Sequence, residues 1–129
     1  MAKAADAQVD ERGQATVELA LVLPVLVLLL FAVAQVGLVV RSQLLVIHAA
    51  REAARVVAVD PAADAHHAAA QAAGLAPERL EVDAVGQVPG APVTVRVTYR
   101  QPVELPFVGV VAEPVLSASV VMIVEGPPP

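Results

Sequence analysis

The sequence predicts an α+β protein: a long N-terminal transmembrane helix that continues into a stem, followed by a small head built on a three-stranded antiparallel sheet. Three observations predict this. Residues 19–40 form an apolar run in which only Gln35 is overtly polar. The segment after it keeps three- and four-residue spacing in its apolar and charged residues, the period of a helix. Farther on, apolar and polar residues alternate with the period of two that marks half-buried strands.

The twenty-two residues of 19–40, at a rise of roughly 1.5 Å each, reach about 33 Å, enough to cross the hydrocarbon core of a bilayer. A soluble core helix would need a partner surface from a remainder of under ninety residues, so the anchor reading wins. Pro24 removes one backbone hydrogen bond near the start of the span and should bend it slightly. Gln35 and Gly37 suit contact with neighbouring helices better than contact with lipid. Beyond Arg41, Leu44, Leu45, Ile47 and Val56 recur among alanines, while Arg41, His48, Arg51, Glu52 and Arg55 make a polar stripe. Glu52 can pair with His48 and Arg55. Asp60 and Pro61 then signal a second helix, with Asp60 as N-cap, Pro61 at the first helical position and Gly74 as the stop.

Leu80, Val82 and Ala84 alternate with Glu81 and Asp83, and Val93, Val95, Val97 and Tyr99 alternate with Thr94, Arg96, Thr98 and Arg100. Pro89 and Gly90 fit the middle of a type II turn, so the two runs should form an antiparallel hairpin. A third strand over 115–125 puts Leu116, Ala118, Val120, Met122 and Val124 on one face. Laying the sheet on the stem helix covers both apolar faces. The loop 102–114 contains Leu105-Pro106-Phe107-Val108-Gly109-Val110-Val111, too apolar for a solvated connector. It is expected to fold back on the sheet, with a patch contacting another subunit as the alternative. The organisation is thus a hydrophilic leader over 1–13, a helix and stem over 14–58, a small α+β head over 59–126 and a proline tail over 127–129.

Composition fits a small membrane-anchored protein: 57% of the 129 residues are apolar and only 2% aromatic. With no cysteine, disulfide and thiolate-metal frameworks are excluded. A net charge of −5 without a basic stripe argues against nucleic acid as a partner. Enzymatic chemistry finds no constellation. Asp60, Asp64 and His67 stand at helical spacing, but adjacent His66 and His67 point about 100° apart and a fourth ligand is missing, so no metal site is expected. Ser117 and Ser119 have no His-acid partner in the pattern. Neither a catalytic residue nor a cofactor is expected.

Glu18 is the most informative residue. It stands at the mouth of the apolar run, where a carboxylate is costly enough to be read as functional and to need a partner. A cut after Gly13 would supply one, because Gln14 would then carry a free α-amine with Glu18 at the fifth position of the new chain. A short hydrophilic leader ending in Gly, Glu five residues later and an immediate apolar helix resemble the class III signal of type IV pilins and pseudopilins. More narrowly, Gly13-Gln14-Ala15-Thr16-Val17-Glu18-Leu19-Ala20-Leu21-Val22-Leu23-Pro24, followed by Ala49-Ala50-Arg51-Glu52-Ala53-Ala54-Arg55, resembles the TadE-like family of tight-adherence (Flp) pilus assembly proteins. Leu19 holds a place where pilin-type signals often have an aromatic residue. From about Asp60 onward only the strand pattern agrees with a pilin-like head.

The resemblance implies a non-enzymatic pseudopilin-like component of a pilus assembly or secretion system. It implies Gly13 and Gln14 as the processing site of a prepilin peptidase, and Glu18 as the group that pairs with the new N-terminus during assembly. Arg51, Glu52 and Arg55 are candidate stem contacts to other pseudopilins. A single-pass location in the cytoplasmic membrane follows, with the amino end in the cytoplasm and the head outside. Charge alone does not set that orientation, since Lys3 and Arg12 precede the span while Arg41, Arg51 and Arg55 follow it. Two other readings stay open: an uncut single-pass membrane adaptor, and a secreted domain released by signal peptidase after Ala34, at the Ala32-Val33-Ala34 motif.

Overall fold

The computed structural model describes residues 2–126, with side chains from Gly13 onward. The leader's Lys3 and Arg12 and the proline tail therefore lie outside the described side chains. Two compact units divide the chain, Met1–Val36 and Gly37–Pro129.

From Ala2 onward the first unit is helical. Helix α1 covers Ala2–Val59 and runs through Pro24 without a break. Its large side chains are exposed along the apolar run, from Leu19 through Leu29 and Leu30 to Val36. Within Gly13–Val59 the chain is long and apolar enough to cross a membrane.

In the second unit the remaining length of α1 meets the sheet. Strand β1 (Leu80–Val85), strand β2 (Pro92–Arg100) and strand β5 (Val115–Ile123) form an antiparallel sheet with β2 in the middle. Val93, Val95, Val97 and Tyr99 alternate into the core, as their period of two predicts, and the first three are fully buried. Each fully buried valine is worth about 1.5–3 kcal/mol relative to leaving it exposed. Register places Leu80 and Leu116 beside Tyr99, Val82 and Ala118 beside Val97, and Ala84 and Val120 beside Val95, so all three strands share one apolar face.

That face covers Val46, Ala49, Ala50, Ala53, Ala54 and Val57 of the stem. The four alanines are completely buried, and residues without a γ-carbon let the helix backbone approach the sheet closely. The hairpin between β1 and β2 closes as the sequence predicts. The Ala91 amide donates to the Val88 carbonyl at 3.0 Å with Pro89 and Gly90 between them. Gly90 has φ +77°, the sign that the third residue of a type II turn requires. Gly86, at φ +90°, is the stricter requirement, because a Cβ there would stand 2.7 Å from the Pro92 carbonyl oxygen.

Three expectations change. Helix α2 covers Ala65–Ala73, and its N-cap is Asp64, whose carboxylate accepts from the His67 amide at 2.9 Å. Asp60 instead makes a local turn, accepting from the Ala62 amide with its side chain and from the Ala63 amide with its carbonyl. Two capping residues four positions apart competed for one helix start, and the one after the Pro61 turn won. Gly74 ends α2 in the left-handed conformation, as expected. A short 3-10 turn (Pro77–Arg79) leads into β1.

The second change concerns 102–114. It does not fold back over the sheet but pairs with itself as a ribbon, strand β3 (Val103–Leu105) against strand β4 (Gly109–Ala112). All four residues of β4 are exposed, together with Phe107 and Val108. Strand β5 stops at Ile123, two residues short of the expected end. Val124 is nevertheless buried, with its amide bonded to the Ala91 carbonyl.

Candidate functional site

Gly13, Gln14, Val17, Glu18 and Leu21 share one surface of α1. Positions 14 and 18 are one helical turn apart, about 6 Å along the axis, so an amine on Gln14 would lie next to the Glu18 carboxylate. Both side chains are exposed. The Gly13–Gln14 peptide bond lies inside the helix, so a protease that needs an extended strand must first unwind that turn. Glycine lowers the cost of doing so, at about 1 kcal/mol less helical stability than alanine. A Cβ on Gly13 would meet nothing within 4 Å, so the surrounding structure does not require glycine there.

The stem residues separate into two sets. The alanines of Ala49-Ala50-Arg51-Glu52-Ala53-Ala54-Arg55 face the core, while Arg51 and Arg55 are exposed and Glu52 is half-buried. Arg55 Nη2 donates to Glu52 Oε1 at 2.6 Å and Arg55 Nε to Glu52 Oε2 at 3.2 Å, a two-pronged pair at i,i+3. Those hydrogen bonds hold the Glu52 carboxyl below the usual carboxylate range, with smaller help from the charges of Arg55 and His48. The same pairing raises the Arg55 guanidinium. The structure thus pairs Glu52 with Arg55, while Arg51 joins neither of them.

At the start of the stem, Ser42 Oγ donates to Gln101 Oε1 at 2.6 Å, and Gln43 Nε2 donates to the Ser117 carbonyl at 3.1 Å. These bonds tie the stem to the ends of β2 and β5 that flank the ribbon. Sequence patterning missed them, since two small polar residues after an apolar run have no period to read.

The residues weighed for a metal have structural duties. Asp60 forms its turn, Asp64 caps α2, and His66 Nε2 lies 3.0 Å from the Leu80 carbonyl and 3.2 Å from the Pro77 carbonyl. Both partners are acceptors, so that nitrogen carries the hydrogen. Among the described residues no three acids or histidines are grouped to hold an ion. Ser117 and Ser119 are exposed on the sheet face away from the core.

A small α+β head whose stem is the continuation of a long, uncovered apolar helix defines a class, and that helix suggests a single-pass membrane protein. Residues 13–55 match the family model described as TadE-like protein. The match covers a third of the chain, opening on Gly13 and closing on Arg55, the limits of the two motifs that carried the resemblance. No curated protein and no solved structure matches the chain. The family suggests involvement in the tight-adherence pilus, where such proteins are typically structural, non-enzymatic components.

Proposed function

We propose that the chain is a pseudopilin-like component of a tight-adherence (Flp) pilus assembly system, made as a precursor and cut by a membrane prepilin peptidase between Gly13 and Gln14. In this reading 1–13 is the leader, 19–40 the span, the rest of the helix to 58 a stem, and 59–126 a head outside the cytoplasmic membrane. The supporting observation is the exposed Glu18 at the mouth of an uncovered apolar helix, one turn from Gln14. Cleavage would give that acid a cation, and the two could neutralise each other within one chain or between adjacent subunits. The outward Arg51 and the Glu52–Arg55 pair are available to other pseudopilins.

N-terminal sequencing of membrane-extracted protein tests the proposal. A mature end at Gln14 supports it; Met1 or Ala2 favours an uncut adaptor, and Gln35 a secreted domain. Gly13→Leu should accumulate precursor in cells that contain the peptidase. Because a side chain at position 13 meets nothing in the fold, that block would report on the protease cleft and not on misfolding. A gel showing mature-sized mutant would overturn the proposed signal. For topology, an alkaline phosphatase fusion after Glu125 is expected to be active and a cytoplasm-only fluorescent reporter dark; the reverse would remove the case for a cytosolic cut.

A further inference from the structure

The β3–β4 ribbon is built at a cost that the head does not recover. Its tip is a four-residue turn in which the Val108 amide donates to the Leu105 carbonyl across Pro106 and Phe107. Phe107 has φ +68°, alone among the described non-glycine residues, at the position where such a turn prefers glycine or asparagine. Its ring is fully exposed, and Val108, Val110 and Val111 are 71%, 52% and 47% exposed. A two-stranded ribbon with apolar residues in water is marginal on its own, so this one lacks a covering surface.

Its place in the fold says what covers it. Strand β2 starts at Pro92, opposite Ile123, where the Glu125 amide donates to the Ala58 carbonyl of the stem. It ends at Arg100, opposite Val115, next to Gln101, which Ser42 holds. The ribbon therefore leaves the head at the Ser42 end, and Ser42 is two residues beyond Val40, the last residue of the apolar run. Residues 105–112 contain no charge and are bracketed by Glu104 and Glu113. Glu104 pairs opposite Val110, so beyond that rung only the turn through Pro106 and Phe107 reaches farther, about two residues or roughly 7 Å of extended chain, within the depth of about 5–10 Å to which interfacial segments penetrate.

We propose that this ribbon is a second membrane contact: Phe107 and Val108 at its tip insert into the lipid interface, with Glu104 and Glu113 left in the headgroup layer. A neighbouring protein subunit fits less well, because the tip offers no polar or charged group to set register. The inference rests on 19–40 spanning a bilayer, and the insertion draws on apolar area and not on anionic lipid.

The chain has no tryptophan, so single substitutions report their own surroundings. Full-length Phe107→Trp and Val108→Trp are placed singly in phosphatidylcholine nanodiscs, one chain per disc, with lipids brominated near the headgroup or deep in the acyl chain. Leu28→Trp reports the span, and Ile123→Trp, exposed at the far end of the sheet, reports the solvated head. Position 107 or 108 is expected to emit to the blue of position 123 and to lose most of its emission to shallow bromine, unchanged when anionic lipid is added. Quenching at 28 without quenching at 107 and 108 would overturn the inference and leave the span intact. Blue emission at 107 and 108 that bromine does not quench would mean a protein surface covers the tip, and would overturn it too. An unquenched Leu28→Trp would remove the span reading and the inference with it.

Discussion

Helix α1 contains two regions built of the same backbone for different surroundings. Over 19–36 the helix is mostly leucine and valine, and its large side chains are exposed on every side. Between Val46 and Ala58 it is alanine and valine on one face, buried at 0–7% exposure, with charge on the other. Size follows the partner. Lipid chains adapt to bulky side chains, whereas a sheet is a fixed surface that a helix approaches closely only through small ones. Ala-rich sequence therefore marks the stem more sharply than hydrophobicity does.

The largest expected effect lies at the mouth of the apolar region. On the proposed reading, Glu18→Ala should insert and be trimmed to Gln14 normally, yet lose co-purification with a partner pseudopilin and abolish pili. Normal pili from that variant would make the acid an interfacial bystander and move the uncut adaptor ahead. N-terminal glutamine can cyclise and erase the amine, so mass spectrometry of the mature end belongs to the same experiment.

Next is a direct exchange of the two regions' rules. Ala53→Leu forces an isobutyl group between helix and sheet and should destabilise the head by about 1–3 kcal/mol, read as an earlier denaturant midpoint for burial of Tyr99. Leu28→Ala, with no protein packed on it, should leave that midpoint unchanged. Equal effects from the two would break the comparison.

The smallest effect belongs to the charged face of the stem. The Glu52 carboxyl is depressed in the folded chain by Arg55, so its stabilisation is present above the ordinary carboxylate range and is lost as pH falls through the lowered value. Because Arg55 is exposed and water reaches the pair, Glu52→Gln should cause only a slight loss of thermal stability at neutral pH, and none once acid has protonated the wild-type group. A large loss would mean that Glu52 supports more than one surface pair.

The three main strands and the hairpin turn were legible because valine alternating with threonine, arginine or acid has one reading on a sheet with one buried face. The helix was legible by length, and its stem by charge spacing. Its alanine core was not: alanine is equally at home on a solvated helix, and only the sheet's proximity tells which face is buried. Asp60 and Asp64 illustrate a different limit, since each is a competent cap and the choice depends on how many residues the turn after Pro61 consumes. The ribbon escaped notice because strand β4 is exposed along its whole length, so the apolar residues Val110 and Val111 carry no alternation. Of the candidate site, the isolation of Glu18 was visible in the sequence, and the Glu52–Arg55 pair followed from spacing. The Ser42 and Gln43 ties to the sheet were not, because they depend on where Gln101 and Ser117 arrive from far along the chain.

The position of Gly13–Gln14 inside a continuous helix gives the proposed cut a second outcome besides removing the leader. Before the cut Glu18 is an ordinary mid-helix acid, a dozen or more residues from the helix start at Ala2. Afterwards the helix would begin at Gln14, whose ammonium would face the positive end of the macrodipole, while Glu18 would stand about one turn inside, where a carboxylate is favoured. Proteolysis would thus change the electrostatic rank of an unmodified residue, turning a spectator into the counterion of a newly exposed dipole.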